Sequence, residues 1–267
     1  MKKRFANHVV WITGGGSGIG RALALELAEQ GADVAVSGRR QLRLDEVARE
    51  IEGRGARGLG VECDVTSEES LAAAVKLVVD SWGRLDVTIA NAGFSVAGAI
   101  ESLSAEDWRR QFDTNVVGSA QTARFALPEL RKTKGRMVFV ASVASMICTP
   151  KLGAYNASKY ALRAVGQTLA MELHGSGVSC TTIHPGMVES EITSVNNEGS
   201  FDPALKDKRP QNLIWPADKA ARVCADAIWL RKREFVFTGH GKLGAFIGRH
   251  APDLVHLAVT RFGKKKR

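Results

Sequence analysis

Residues 13–20 read Thr-Gly-Gly-Gly-Ser-Gly-Ile-Gly, between an apolar run, His8 to Thr13, and a helical pattern from Gly18 to Gln30. Glycines at this density between a buried strand and a helix permit a tight turn. They also let the backbone N–H groups of the helix start approach an anionic group. The spacing is T-G-x-x-x-G-x-G on Gly14, Gly18 and Gly20 rather than G-x-G-x-x-G, but the physics is the same. No lysine follows in the G-K-[ST] manner, which argues against a nucleotide triphosphatase loop. At the first strand of a chain, such a turn points to a dinucleotide gripped through Gly14, Gly16, Ser17, Gly18, Ile19 and Gly20.

The rest of the chain continues that strand–helix alternation. Asp33 to Ser37, Leu59 to Cys63, Leu85 to Ala90, Arg136 to Ala141, Val178 to Ile183 and Phe235 to Thr238 read as further strands. A charged helix is expected from about Gln41 to Glu52. Thr66 with Glu69 reads as a capping box for a helix reaching Trp82. Ser104 with Asp107 opens a long helix reaching about Arg131, and Pro216 starts one that reaches about Leu230. Alternation at this spacing predicts an α/β fold, a doubly wound parallel sheet of about seven strands with helices on both faces. One domain is expected over residues 1–240. Within it, 186–215 holds Asn196, Asn197, Gly199, Pro203 and Pro210, a connection long enough to serve as a substrate lid. Residues 241–267 read as an extension in which Leu243, Phe246, Ile247, Leu254, Leu257, Ala258 and Phe262 line one or two short amphipathic helices.

Charge narrows the partners. Of 37 basic residues against 28 acidic, eight sit in two tails: Lys2, Lys3, Arg4, Arg261, Lys264, Lys265, Lys266 and Arg267. The body is left with 29 against 28, nearly neutral, which argues against a nucleic-acid-binding face. The C-terminal basic cluster beside an amphipathic segment is a candidate for weak peripheral contact with anionic lipid. No run reaches the roughly 18–20 apolar residues of a membrane span, and Val9 to Thr13 is too short for a secretory h-region. Cys63, Cys148, Cys180 and Cys224 are widely spaced, without C-x-x-C, and read as reduced thiols of a cytoplasmic protein. The six histidines show no H-E-x-x-H or comparable ligand spacing, so no metal is expected.

Two further features carry chemistry. Tyr155 and Lys159 stand four apart, on one face of a helix. A fixed positive charge there lowers the phenol's pKa from about 10 toward working pH, where it can exchange a proton with a carbonyl or alcohol. Alone, Y-x-x-x-K is a common surface pair. Its weight comes from the glycine-rich turn and from Ser142 upstream. At the end of the second strand, where NAD-using enzymes place a carboxylate on the ribose 2′-hydroxyl, the chain has Ser37, Gly38, Arg39 and Arg40. Two guanidinium groups suit a 2′-phosphate, so NADP(H) is the expected cofactor.

Taken in order, T-G-G-G-S-G-I-G, Asp64-Val65, Asn91-Ala92-Gly93, Asn115, Ser142, Tyr155-x-x-x-Lys159 and Pro185-Gly186 resemble the short-chain dehydrogenase/reductase family over about residues 5–240. The resemblance implies a Rossmann-like sheet, hydride transfer to or from a nicotinamide, and homodimers or homotetramers packed through helices. It implies Tyr155 as general acid/base, with Lys159 holding the nicotinamide ribose and depressing the Tyr155 pKa. Ser142 is implied to steady the substrate oxygen. Asn115 is implied to interrupt its helix and link Lys159 to solvent through a water. Asp64 and Val65 would contact the adenine, and Asn91, Ala92 and Gly93 would lie along the cofactor. Pro185, Gly186, Val188 and Ser190 would surround the nicotinamide. Ala90 and Ala141 depart from the family pattern at positions that carry no chemistry.

Phe94, Val96, Met146, Ile147, Cys148, Met187 and Ile192 are expected near the carbonyl, with Lys151 the one cation in view. That apolar lining favours a lipophilic ketone such as a long-chain 3-oxo compound, a sphingoid precursor or a steroid-like molecule. A 3-oxoacyl thioester on an acidic carrier protein, docking on Arg109, Arg110 and Arg131, is the alternative, and a catalytically silent dinucleotide sensor is the second.

Overall fold

The structure, a computed structural model, describes residues 3–262. Strands β1 (Val9–Thr13), β2 (Asp33–Gly38), β3 (Gly58–Glu62), β4 (Val87–Ala90), β5 (Arg136–Val140), β6 (Ser179–His184) and β7 (Glu234–Val236) form one sheet, ordered β3-β2-β1-β4-β5-β6-β7. All neighbours pair in parallel. The chain winds outward from β1 to β3, then returns to lay β4 on the other side of β1. A crevice therefore opens at the carboxyl ends of β1 and β4, where connections part to opposite faces. This is a Rossmann-like doubly wound fold.

Strand alternation builds both layers. In β1, Val10 and Ile12 enter one core with Leu23, Leu27, Leu44 and Ile228, beneath α1 (Gly18–Glu29), α2 (Gln41–Glu52) and α7 (Ala217–Trp229). Val9 and Trp11 enter the opposite core with Leu71, Leu130, Phe139 and Leu162, beneath α3 (Glu68–Trp82), α5 (Gly118–Thr133) and α6 (Gly153–Glu172). A strand covered on both faces has no polar side, which is why β1 reads as a continuous apolar run.

Two local expectations are corrected, and the implied interruption at Asn115 is present. Ser67, not Thr66, caps α3, its hydroxyl accepting from the Ser70 N–H at 3.1 Å. Asp64 holds both the N–H and the hydroxyl of Thr66, at 2.9 and 2.8 Å, and so withdraws it from the cap. The helix from Ser104 does begin with a capping box, but α4 (Ala105–Phe112) ends in a π-helical turn, Asp113–Val117, before α5 starts. At its centre the Asn115 amide is bound to both backbone groups of Phe94, outside the helix. The last strand stops at Val236, because Thr238 turns to cap α8 (Gly239–His250).

Residues 186–215 run across the crevice with two short 3-10 turns and a small bridge between Val195 and Phe201. Helix α8 then lies against the segment after β5. A Cβ on Gly248 would stand 2.3 Å from the Met146 carbonyl, so only glycine allows that approach. α9 (Pro252–Phe262) follows, and no helix among the described residues is long and apolar enough to cross a membrane.

Candidate active site

The crevice is a cleft of about 790 Å³. At one end it meets the start of α1. No side chain caps this helix and no acid sits in its first turn, so its leading N–H groups remain free for an anion. Gly14, Gly16, Ser17, Gly18 and Ile19 line this end. Gly20 does not: a Cβ there would lie 2.4 Å from the Gly14 carbonyl, so it seats the helix under the turn rather than touching a ligand. Asn91 braces the same turn, its amide donating to the Thr13 and Gly14 carbonyls at 3.0 and 2.9 Å. Asp64, Val65, Ala92 and Gly93 continue the wall.

Both guanidinium groups after β2 face this cleft, and both are already engaged by the long connection. Arg39 donates to the Gly199 carbonyl at 2.5 Å. Arg40 pairs with Glu191 at 2.7 Å and lies 5.6 Å from the centre of the Phe201 ring. Glu191 has no signal of its own in sequence. It becomes visible only when 186–215 folds over the end of β2.

At the other end, β5 delivers Ser142 and α6 delivers Tyr155 and Lys159 to the same wall. The Ser142 oxygen accepts from the Ala144 N–H at 3.1 Å, so its own proton is free to point into the cleft. Lys159 is buried, donates to the Val140 carbonyl at 3.0 Å, and its nitrogen stands 5.7 Å from the centre of the Tyr155 ring. Burial pulls its pKa down to about 8. The expected depression of the Tyr155 pKa by Lys159 does not occur here. Burial pushes the phenol upward, while the Ser142 hydroxyl and the charge of Arg209 act in the opposite direction. Asn115 is buried behind Gly93, its amide donating to the Phe94 carbonyl and the Ser158 hydroxyl at 3.0 and 3.1 Å. A Cβ on Gly93 would fall 3.0 Å from the Asn115 oxygen and 3.7 Å from the Lys159 nitrogen.

Pro185, Gly186, Val188, Ser190 and Phe94 line the cleft as expected. Val96, Met146, Ile147, Cys148 and Met187 do not. Val96 is held under α4 by Gln111, its N–H bonding the Gln111 oxygen at 2.7 Å, and packs beside Phe94 and Ala154. Met146 is buried against α8, Cys148 is exposed, and the Met187 N–H turns to His240 at 3.1 Å. Helix α8 accounts for two of these, meeting the Met146 carbonyl at Gly248 and the Met187 N–H at His240. Ile192, also expected there, lines the cleft, and Val195, Phe201 and Arg209 take the vacated wall. Arg209, paired with Asp207 and donating to the Val188 carbonyl at 3.0 Å, is the cation the sequence reading missed. Lys151 is not part of the lining.

An uncapped helix start, two arginines, a buried lysine and a cleft within the roughly 300–1,000 Å³ of ordinary ligand sites fit a pyridine dinucleotide. Residues 8–200 match the short chain dehydrogenase family. The chain belongs to the short-chain dehydrogenase/reductase family and is an oxidoreductase with a dinucleotide cofactor. It is 37% identical over 214 residues to 11-beta-hydroxysteroid dehydrogenase A of Arachis hypogaea, an alignment covering 78% of this chain and 61% of that relative. Among solved structures, a short-chain dehydrogenase/reductase from Burkholderia phymatum in complex with NAD aligns with a TM-score of 0.81 at 26% identity, over 99% of this chain and 97% of that one. An alcohol dehydrogenase from Thermococcus sibiricus complexed with 5-hydroxy-NADP aligns with a TM-score of 0.76 at 28% identity, over 86% and 95%.

Proposed function

We propose that the protein interconverts a ketone and a secondary alcohol with NADP(H), and that it works chiefly as a reductase of a carbonyl with an apolar body. The observation that carries this reading is the meeting of Ser142, Tyr155 and Lys159 on the same cleft as Arg39 and Arg40. The arginines would hold a 2′-phosphate, the α1 amides a pyrophosphate, and Lys159 a ribose hydroxyl. A nicotinamide held there would supply the hydride. Tyr155, kept protonated by burial, is a proton donor to the carbonyl oxygen, a role that contributes about 10²–10⁴-fold. Ser142 donates its free proton to the same oxygen and steadies the charge that develops there. Asn115 fixes the floor beside Lys159 through its bonds to Phe94. Phe94, Ile192, Val195 and Phe201 would take the apolar part of the substrate. Self-association through α5 and α6 fits the apolar groove between Leu127, Pro128, Val165 and Leu169.

The test is NADPH oxidation followed against steroid-like ketones, long-chain 3-oxo compounds and 3-oxoacyl thioesters. Turnover of a lipophilic ketone supports the reading. Tight NADPH binding with no turnover on any of them would make the protein a sensor instead.

A further inference from the structure

Behind Ser142, on the side away from the cleft, three contacts converge on its carbonyl oxygen. The Ser145 N–H donates to it at 2.9 Å and the Ser145 hydroxyl at 2.6 Å, while His184 Nδ1 stands 3.4 Å away. His184 Nδ1 is also 2.9 Å from the Ser145 oxygen. Ser145 and His184 are both fully buried. A hydroxyl has one proton, and at 2.6 Å from a carbonyl that proton must point at the carbonyl. Nδ1 of His184 therefore carries a hydrogen and donates to Ser145. Its Nε2 faces Glu234 at 3.6 Å without a closer partner. Glu234 in turn accepts from Arg163 on α6 at 2.7 Å and from Arg249 on α8 at 2.6 Å. His184 also immediately precedes Pro185, whose carbonyl accepts from the Val143 N–H at 2.9 Å.

We propose that His184 and Ser145 are positioning residues, which lock the Ser142 backbone so that its hydroxyl is aimed at the reacting oxygen. Neither touches the cleft. They act by holding the carbonyl side of Ser142 still while the Ala144 N–H holds its hydroxyl oxygen. Glu234, partly exposed, lies between His184 and Arg163 of α6, the helix that carries Tyr155 and Lys159, so the pair stands beside the frame that holds the proton donor. The inference rests on the role given to Ser142 above.

Four variants test it: Ser145→Ala, His184→Leu, His184→Asn and Glu234→Gln. On a ketone that the wild type reduces, Ser145→Ala and His184→Leu should lose about ten- to a hundredfold in kcat, the scale of a small misplacement of a reacting group. The Kd for NADPH, measured by fluorescence, should stay within about twofold because these residues lie outside the coenzyme wall. His184→Asn keeps a donor near the position of Nδ1 and should recover kcat to within about threefold of wild type, the worth of one imperfect neutral hydrogen bond. Glu234→Gln should fall between. Unchanged kcat in both Ser145→Ala and His184→Leu overturns the proposal, as does equal loss in His184→Leu and His184→Asn. Should the histidine variants fail to fold, Ser145→Ala alone decides. A crystal structure of Ser145→Ala gives an outcome independent of turnover. Ser142 Oγ displaced or split between rotamers supports the proposal, and an unmoved Oγ overturns it even if no ketone is ever turned over.

Discussion

The two ends of the cleft are built by different means. The coenzyme end is made by short stretches at the ends of β1 to β4, and much of it is backbone: the free amides of α1, Gly14, Ala92 and Gly93. The reacting end is made by side chains and closed by segments remote in sequence. Glu191, Gly199, Phe201 and Arg209 come from the connection 186–215, and α8 reshapes the wall from behind. A backbone-built site keeps its shape when side chains change. A site closed by a long connection changes with whatever that connection carries. Where the two meet, at Arg39 with Gly199 and Arg40 with Glu191, the coenzyme end is linked to the substrate end.

The sharpest way to separate the ends is Tyr155→Phe. Turnover should fall by about 10²–10⁴, the contribution of a positioned proton donor, while NADPH affinity changes little. Activity within tenfold of wild type would remove Tyr155 from the chemistry.

Lys159→Met probes the boundary through stability. With a pKa of about 8 in the fold against the ordinary lysine value of 10.5, the lysine binds fewer protons folded than unfolded between those values. The wild type is therefore relieved of a cost as pH rises from about 8 toward 10.5, and carries it in full below about 8. From the size of the shift the cost is roughly 3 kcal/mol. Lys159→Met should melt higher than wild type at pH 6.5, with the gap narrowing above pH 8. A gap that does not depend on pH would remove the titration argument.

Arg39→Ala tests the 2′-phosphate contact. Losing a charge-assisted contact worth about 1.5–3 kcal/mol should weaken NADPH binding roughly ten- to a hundredfold and leave NADH unaffected. Equal weakening of both would place the phosphate elsewhere, with Arg40 next in line.

Glu191→Gln tests the link between the ends. Freed from its carboxylate, Arg40 should bind a 2′-phosphate more tightly, by about two- to fivefold given the worth of a half-exposed ion pair. NADH affinity should not follow. No gain for NADPH would show the pair to be indifferent to the cofactor.

The last expected effect lies furthest from the cleft. Leu243, Phe246, Leu254 and Leu257 are exposed on α8 and α9. The cluster Lys264 to Arg267 that follows lies outside the described residues. Weak, salt-sensitive sedimentation with anionic liposomes is expected, at about 1 kcal/mol per basic residue near the surface, and truncation after Phe262 should reduce it. Equal sedimentation of both forms would leave the basic end without that role.

What the sequence by itself determined is the part of the protein whose chemistry is local. The glycine-rich turn, the seven strands, Ser142 and the Tyr155–Lys159 spacing were legible because a turn, a strand period and a helix face are properties of neighbouring residues. The Ser104 capping box was legible for the same reason, and the Thr66 cap failed because Asp64 competes for it. The interruption at Asn115 was implied by the motif order, although its partner Phe94 was not. Tertiary structure alone decided the rest. It moved Val96, Met146, Cys148 and Met187 off the cleft. It brought Arg209 and Glu191 into the cleft, and it set the direction of the Tyr155 and Lys159 shifts. Each of these depends on contacts between residues tens to more than a hundred positions apart, and on how much water those contacts exclude. Neither the contact nor the burial leaves a period or a spacing in the chain.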